Sequence, residues 1–170
     1  MKYNKIFIVG GIGSGKTTLA NKLSNILHIK TYELDDIAYK KRETYEKYKP
    51  KERNKKVKVI LEKKKWIIEG FYSRSWIYPI YRKADVVIIL NIKPSISKKR
   101  VILRFLKRKF FSKRKASLKK TIGLLKYVEE YPKKYFKIQK ETAKKLSKRM
   151  IILKNNSEIR EFLEKLKWTT

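Results

Sequence analysis

Apolar residues gather along this chain in two ways. Short continuous runs stand at Ile6-Phe7-Ile8-Val9, Trp66-Ile67-Ile68, Val86-Val87-Ile88-Ile89-Leu90 and Met150-Ile151-Ile152-Leu153. Such runs predict strands buried on both faces. A less apolar stretch, 31–35, predicts a short second strand ending in Asp35-Asp36. Between the runs, apolar positions recur with helical spacing. Leu19, Leu23, Ile26 and Leu27 share one face of a helix over 15–28. Val57, Ile60 and Leu61 mark another after Pro50. Ile122, Leu125 and Val128 form a stripe, and Tyr135, Ile138, Thr142 and Leu146 a weaker one, with a break expected at Tyr131-Pro132. Ile159, Phe162, Leu163 and Leu166 face the core from a last helix, capped by Ser157 or Asn156. Five strands separated by helices predict an α/β fold with a doubly wound parallel sheet.

The first strand runs into Gly10-Gly11-Ile12-Gly13-Ser14-Gly15-Lys16-Thr17, which fits G-x-x-x-x-G-K-[ST]. Strand, glycine loop and helix follow in the order this phosphate-binding motif requires. A loop wrapping a triphosphate points successive N–H groups inward, and glycine adopts the necessary backbone angles cheaply. The helix adds its positive end. Lys16 would neutralise β- and γ-phosphate oxygens, and Thr17 would offer its hydroxyl to Mg²⁺. ATP and Mg²⁺ are the expected ligands.

Length and composition narrow the class. The 170 residues make one domain, 1–170, with a flap at about 37–65. Tyr39, Tyr45 and Tyr48 punctuate that charged flap, where aromatic rings among cations suit stacking on a base or packing on the sheet. Cys is absent, which excludes disulfides and thiolate metal sites. The apolar run after Met1 is too short for a signal peptide, and no stretch reaches the ~20 apolar residues of a span. A cytoplasmic protein with no membrane partner is expected. The formal charge of +32, from 47 Lys and Arg against 15 Asp and Glu, attracts polyanions: nucleotides, nucleic acid or an acidic membrane surface. Lysine-rich composition bias, or a heat-loving source, accounts for it equally well.

Other candidates lie at predicted strand ends, where ligands bind in open α/β sheets. Asp35 or Asp36 is placed to orient or deprotonate an acceptor, or else to start a helix. Glu69 could reach metal through water, and Gly70 would let backbone approach a ligand. Arg74 could fork onto an acceptor anion or pair with Asp85. His28, the sole histidine, ends a helix and carries no expected catalytic role. Arg100, Arg104 and Arg108 share one helix face, in a stretch without acids between Asp85 and Glu129. A triphosphate would supply the missing anion for Arg104 and Arg108. A mobile lid is expected at about 107–116.

The sequence resembles the adenylate-kinase-like branch of phosphate-loop kinases, and more narrowly DNA topology modulation proteins of the FlaR type. The likeness rests on Gly10–Thr18, Leu34-Asp35, Trp66–Arg74, Ala84-Asp85, the Arg100/Arg104/Arg108 helix, Ile151–Leu153 and Phe162-Leu163. It implies a three-layer fold with strand order 2-3-1-4-5. Lys16 and Thr17 match ATP and Mg²⁺ residues, with Thr18 beside them. Glu69 stands where the family usually has Asp. Arg74 matches the arginine holding an acceptor phosphate, but lies one residue further from Gly70 than in adenylate kinases, and their Pro is missing. Arg104 and Arg108 match arginines at the lid entrance. Lys154–Asn156, with Asn155 central, is where such kinases seat adenine.

The expected function is transfer of the γ-phosphate of ATP to a nucleotide or other small acceptor. The alternative is a basic nucleic-acid-binding protein that uses ATP as a switch or a nucleic-acid end as acceptor. A catalytically dead nucleotide-binding protein is a third, weaker reading.

Overall fold

A computed structural model describes residues 3–41, 44–111 and 117–167. The chain runs β1 (Lys5–Gly10), α1 (Lys16–Leu27), β2 (Thr31–Glu33), α2 (Leu34–Ala38), β3 (Tyr39–Lys41), β4 (Glu46–Lys47), α3 (Pro50–Leu61) and β5 (Trp66–Gly70). A 3-10 turn (Ser75–Ile77), α4 (Tyr78–Lys83), β6 (Val86–Leu90), α5 (Pro94–Phe111) and α6 (Leu118–Glu130) follow. A π-helical turn (Tyr131–Tyr135), α7 (Phe136–Leu146), β7 (Met150–Leu153) and α8 (Asn156–Lys167) complete it.

Five parallel strands lie in the order β2-β5-β1-β6-β7. The β3–β4 hairpin stands apart, so among the sheet's own strands this is the expected order 2-3-1-4-5. Side chains alternate across each strand and feed two cores. Phe7, Val9, Ile68, Val87 and Ile89 meet α3, α4 and α7 through Val57, Ile60, Tyr81 and Ala143. Ile6, Ile8, Ile67, Val86 and Ile88 meet α1 and α8 through Leu19, Leu23, Leu163 and Leu166. Burial on both faces explains why these strands are apolar throughout.

Several expectations need correcting. The second strand stops at Glu33, so Asp35 and Asp36 occupy the first turn of α2. The flap contains the β3–β4 hairpin as well as α3. α6 ends at Glu130, as expected at Tyr131-Pro132, but the chain stays helical: a π-helical turn joins α6 to α7, and there the α-helical N–H ladder that Pro132 cannot join is already interrupted. Ile122 and Ile138 are exposed, and α7 buries Gln139 and Ala143 instead. Asn155 caps α8, accepting from the Glu158 N–H at 2.9 Å, rather than Asn156 or Ser157. The expected lid begins as helix, because α5 continues to Phe111; residues 112–116 of it lie outside the described residues.

Candidate functional site

The glycine loop joins the C-terminal end of β1 to α1. Gly13 and Gly15 hold φ of 73° and 98°, a region in which side chains strain the backbone. Gly15 precedes α1, and no side chain caps that helix start. Its first-turn N–H groups therefore suit an anion. A Cβ on Gly10 would stand 2.9 Å from both Leu90 Cβ and Ser14 Oγ, so the loop packs directly on β6. Lys16 Nζ donates to Gly11 O at 2.9 Å. Ile12 is half-buried and Thr18 is exposed.

Two supports of this loop are tertiary. Arg100 Nη1 donates to Gly13 O (3.2 Å) and Ser14 O (2.9 Å), and its Nη2 donates to Asn156 Oδ1 (3.0 Å). Arg100 thus ties the loop to the start of α8, while Arg104 stands close enough to Lys16 to lower its pKa. Burial, then Arg108, lowers the pKa of Arg104 itself. The buried Tyr131 ring packs on Gly11, where a Cβ would stand 2.9 Å from Tyr131 Cγ. The Tyr131 hydroxyl donates to Gln139 Oε1 at 2.8 Å, which accounts for a buried glutamine in α7.

Acids converge on Lys16 because of strand register. Glu33 pairs with Glu69, and Ile8 of β1 pairs with Glu69 on its other side. Burial lowers the Lys16 pKa, whereas Glu69, Asp35 and Glu33 draw it up. Thr17 Oγ1 donates to Glu69 Oε1 at 2.6 Å. Two hard oxygen donors side by side fit Mg²⁺, which takes one or two protein groups and completes its shell with phosphates and water. Among the described residues no group of three or more His, Cys, Asp or Glu forms a metal cage, and Mg²⁺ on a nucleotide needs none.

Glu69 is 4% exposed, and burial raises its pKa against the pull of Thr17 and Lys16. The folded state therefore keeps this proton at pH values where the unfolded chain has released it. Wild type should lose stability as pH rises through that range. Glu69→Gln removes the titration, so its thermal midpoint should gain on wild type as pH rises upward from the ordinary glutamate range. Calorimetry across that range checks this; a constant difference would contradict it.

Asp35 lies in the first turn of α2 and is held by a side-chain bond. Its Oδ1 accepts from the Tyr72 hydroxyl at 2.9 Å. Burial first, then the Asp35 carboxylate, pushes the Tyr72 phenol well above its ordinary range, so it stays protonated and donating. Tyr72 packs edge-on against Trp76, whose ring lies 4.7 Å from the Arg53 guanidinium. Gly70 has a packing purpose: a Cβ there would stand 2.6 Å from Leu34 Cβ, so its bareness admits α2. Arg74 is exposed at the start of the 3-10 turn, and Asp85 accepts from the N–H groups of Asn4 and Lys5. Asn155 spends its side chain on capping, with Nδ2 donating to Glu158 Oε1 at 2.8 Å.

The sequence reading passed over Tyr72, Glu33, Arg100 and Tyr131. Tyr72 lay in the 66–74 block and Arg100 in the arginine row, so both were visible without a role. Glu33 carried a signal, an acid on a short strand. Tyr131 carried none, because a tyrosine before proline commonly marks a helix boundary.

No protein-family model matches the sequence, and no curated protein matches it. Solved structures do. Shikimate kinase from Bacteroides thetaiotaomicron aligns with a TM-score of 0.60 at 14% identity, covering 99% of this chain and 98% of that one. Shikimate kinase from Acinetobacter baumannii, in complex with shikimate, aligns at 0.57 and 15%, covering 96% and 90%. The chain has the α/β P-loop NTPase fold of these structures. An uncharacterized protein from Eubacterium ventriosum shares it, at 0.55 and 17%, covering 95% and 96%. On a P-loop kinase fold, the ends of β1, β5 and β2 are the natural ligand edge. Lys16, Thr17, Glu69 and Asp35 all stand on that edge here.

Proposed function

We propose that this protein is an ATP-dependent phosphotransferase acting on a small acceptor, a nucleotide or a hydroxylated metabolite. The observation that carries the reading is the convergence of Lys16, Glu69 and Asp35, with Thr17 bonded to Glu69. ATP lies with its triphosphate in the 10–17 loop and on the start of α1. Thr17 and Glu69 would hold Mg²⁺, which would supply charge neutralisation to the triphosphate. Lys16, Arg104 and Arg108 spread the charge of the transferring group. Asp35 accepts the proton of the acceptor hydroxyl as its oxygen bonds to the γ-phosphorus and the bond to ADP breaks. Tyr72 holds that carboxylate in one orientation. Arg74, exposed two residues after Tyr72, suits a phosphate or carboxylate on the acceptor. One structural neighbour is a kinase in complex with shikimate, which supports a small-molecule acceptor. The finer likeness to FlaR-type proteins rests on the sequence blocks alone, and nucleic-acid binding on the charge alone.

The test is γ-phosphate transfer from labelled ATP and Mg²⁺ to a panel: nucleoside and deoxynucleoside monophosphates, hydroxylated metabolites, and oligonucleotides with a 5′-hydroxyl. A single labelled small acceptor is expected. Asp35→Asn should lower kcat on it by about 10²- to 10⁴-fold and leave ATP affinity unchanged. Full turnover by that variant overturns the role of Asp35. Label on oligonucleotides alone moves the function to nucleic-acid ends. ATP bound with no acceptor labelled overturns the phosphotransferase reading.

A further inference from the structure

The helical hairpin of α5 and α6 exposes apolar residues that the proposed chemistry does not use. Ile102 (43%), Leu106 (39%) and Phe110 (67%) on α5, with Leu118 (62%) and Ile122 (49%) on α6, are large and solvent-facing. They share one face. Lys98, Ile102, Leu106 and Phe110 recur every fourth residue, so they form one row along α5. Glu129, Ile122 and Leu118 are separated by spans of seven and four, which also return to one side of a helix. Lys98 donates to Glu129, so the two rows lie on the same side of the hairpin. Equal steps outward from that ion pair set Leu106 level with Ile122, and Phe110 level with Leu118, within one residue. An ion pair thus stands at the base, an apolar row runs outward from it along α5 to Phe110, and Ile122 and Leu118 on α6 flank the outer part of that row, with Lys126 between Ile122 and Glu129.

This strip points away from the candidate site. Arg100, Arg104 and Arg108 occupy a row on α5 offset by two residues from Ile102, Leu106 and Phe110, hence on a different side of the helix. Arg100 binds the glycine loop, so that side faces the nucleotide edge. Closure over a nucleotide would not cover the strip. Lys99, Lys109, Lys119 and Lys126 are exposed around it. The stretch from Asp85 to Glu129 contains no acid between them, and Glu129 is paired with Lys98.

We infer that this face docks on an anionic lipid bilayer as a peripheral, interfacial surface. Charge complementarity selects the occupant. A second copy would bring lysine against lysine in a chain of net charge +32. Nucleic acid would satisfy the lysines, but of the five apolar residues only Phe110 offers it a stacking face, and the four Ile and Leu side chains offer neither stacking nor hydrogen bonds. An anionic bilayer accepts both parts: its acyl boundary takes the apolar row and its headgroups take the lysines. Docking of this kind needs no spanning helix, and among the described residues no helix is long and apolar enough to cross a membrane. The expectation of no membrane partner rested on that lack of a span, which does not bear on a peripheral face.

The experiment is vesicle cosedimentation of the full chain, with phosphatidylcholine alone and with an equal mixture of phosphatidylcholine and phosphatidylglycerol. Wild type should bind the mixed vesicles, and bind them more weakly as salt rises. The double variant Leu106→Gln/Ile122→Gln should lose at least about tenfold in vesicle affinity, and Lys119→Glu/Lys126→Glu a similar factor. Phosphate transfer by the Leu106→Gln/Ile122→Gln variant should match wild type, which separates this proposal from the catalytic one. Equal binding to pure phosphatidylcholine, or unchanged binding by the double variant, overturns it. A dimer in sedimentation that the double variant dissociates also overturns it and assigns the strip to a second copy.

Discussion

Lys16→Ala lowers kcat/KM for γ-phosphate transfer by about 10³-fold or more, with a thermal midpoint close to that of wild type. The two parts of this expectation have different causes. Lys16 is the one cation of the glycine loop, donating to Gly11 O, with Glu69, Asp35 and Glu33 near enough to act on its charge. On the proposed reading, the charge of the transferring γ-phosphoryl group develops beside that ammonium. No other group in the loop can replace a cation there. Stability is a separate matter. Burial lowers the Lys16 pKa, so its charge is held at a cost that the three acids only partly offset. Removing it relieves one desolvated charge and leaves the acids with less compensation, and these effects oppose each other. Steady-state kinetics with calorimetry on the same preparation check both parts. Retained turnover refutes the role of Lys16, whereas a collapsed midpoint would show that Lys16 is structural and leave its catalytic role to be tested with Lys16→Met.

The largest expected loss of stability comes from Gly13→Ala. Gly13 has φ of 73°, and a Cβ there would stand 2.6 Å from Ser97 O and 3.1 Å from Val101 Cγ2. Ser97 O belongs to the backbone of α5, which cannot step aside as a side-chain tip can. Backbone strain and overpacking together cost about 3 kcal/mol, or roughly 10 °C in thermal midpoint. Gly123→Ala is the control, because nothing lies within 4 Å of its added Cβ. Gly13→Ala should also push α5 away from the loop and weaken the Arg100 bonds to Gly13 O and Ser14 O. ATP affinity is therefore expected to fall together with stability. A thermal scan that places Gly13→Ala level with Gly123→Ala would refute the packing argument.

Much of this architecture was legible from periodicity because strands and helices bury different spacings. Ile6–Val9, Ile67-Ile68 and Val86–Leu90 are apolar on both sides since the sheet is covered on both faces. The glycine loop was legible because phosphate binding constrains backbone shape, and backbone shape constrains residue type. The helices after residue 117 were harder. Gln139 falls outside every apolar stripe yet is buried, because Tyr131 supplies its partner, and Ile122 belongs to an apolar stripe yet lies exposed. Hydropathy registers what a residue prefers; partners across the fold decide what it receives.

The sequence by itself determined the α/β class, the position of the glycine loop and the roles open to Lys16 and Thr17, since each depends on neighbours within a few residues. Only the tertiary structure decided that Glu33 stands beside Glu69, that Tyr72 holds Asp35, that Gly70 makes room for Leu34 and that Arg100 grips the loop. These contacts join residues far apart in the chain. Strand order and register create them, and both are set by how whole faces pack rather than by any local pattern.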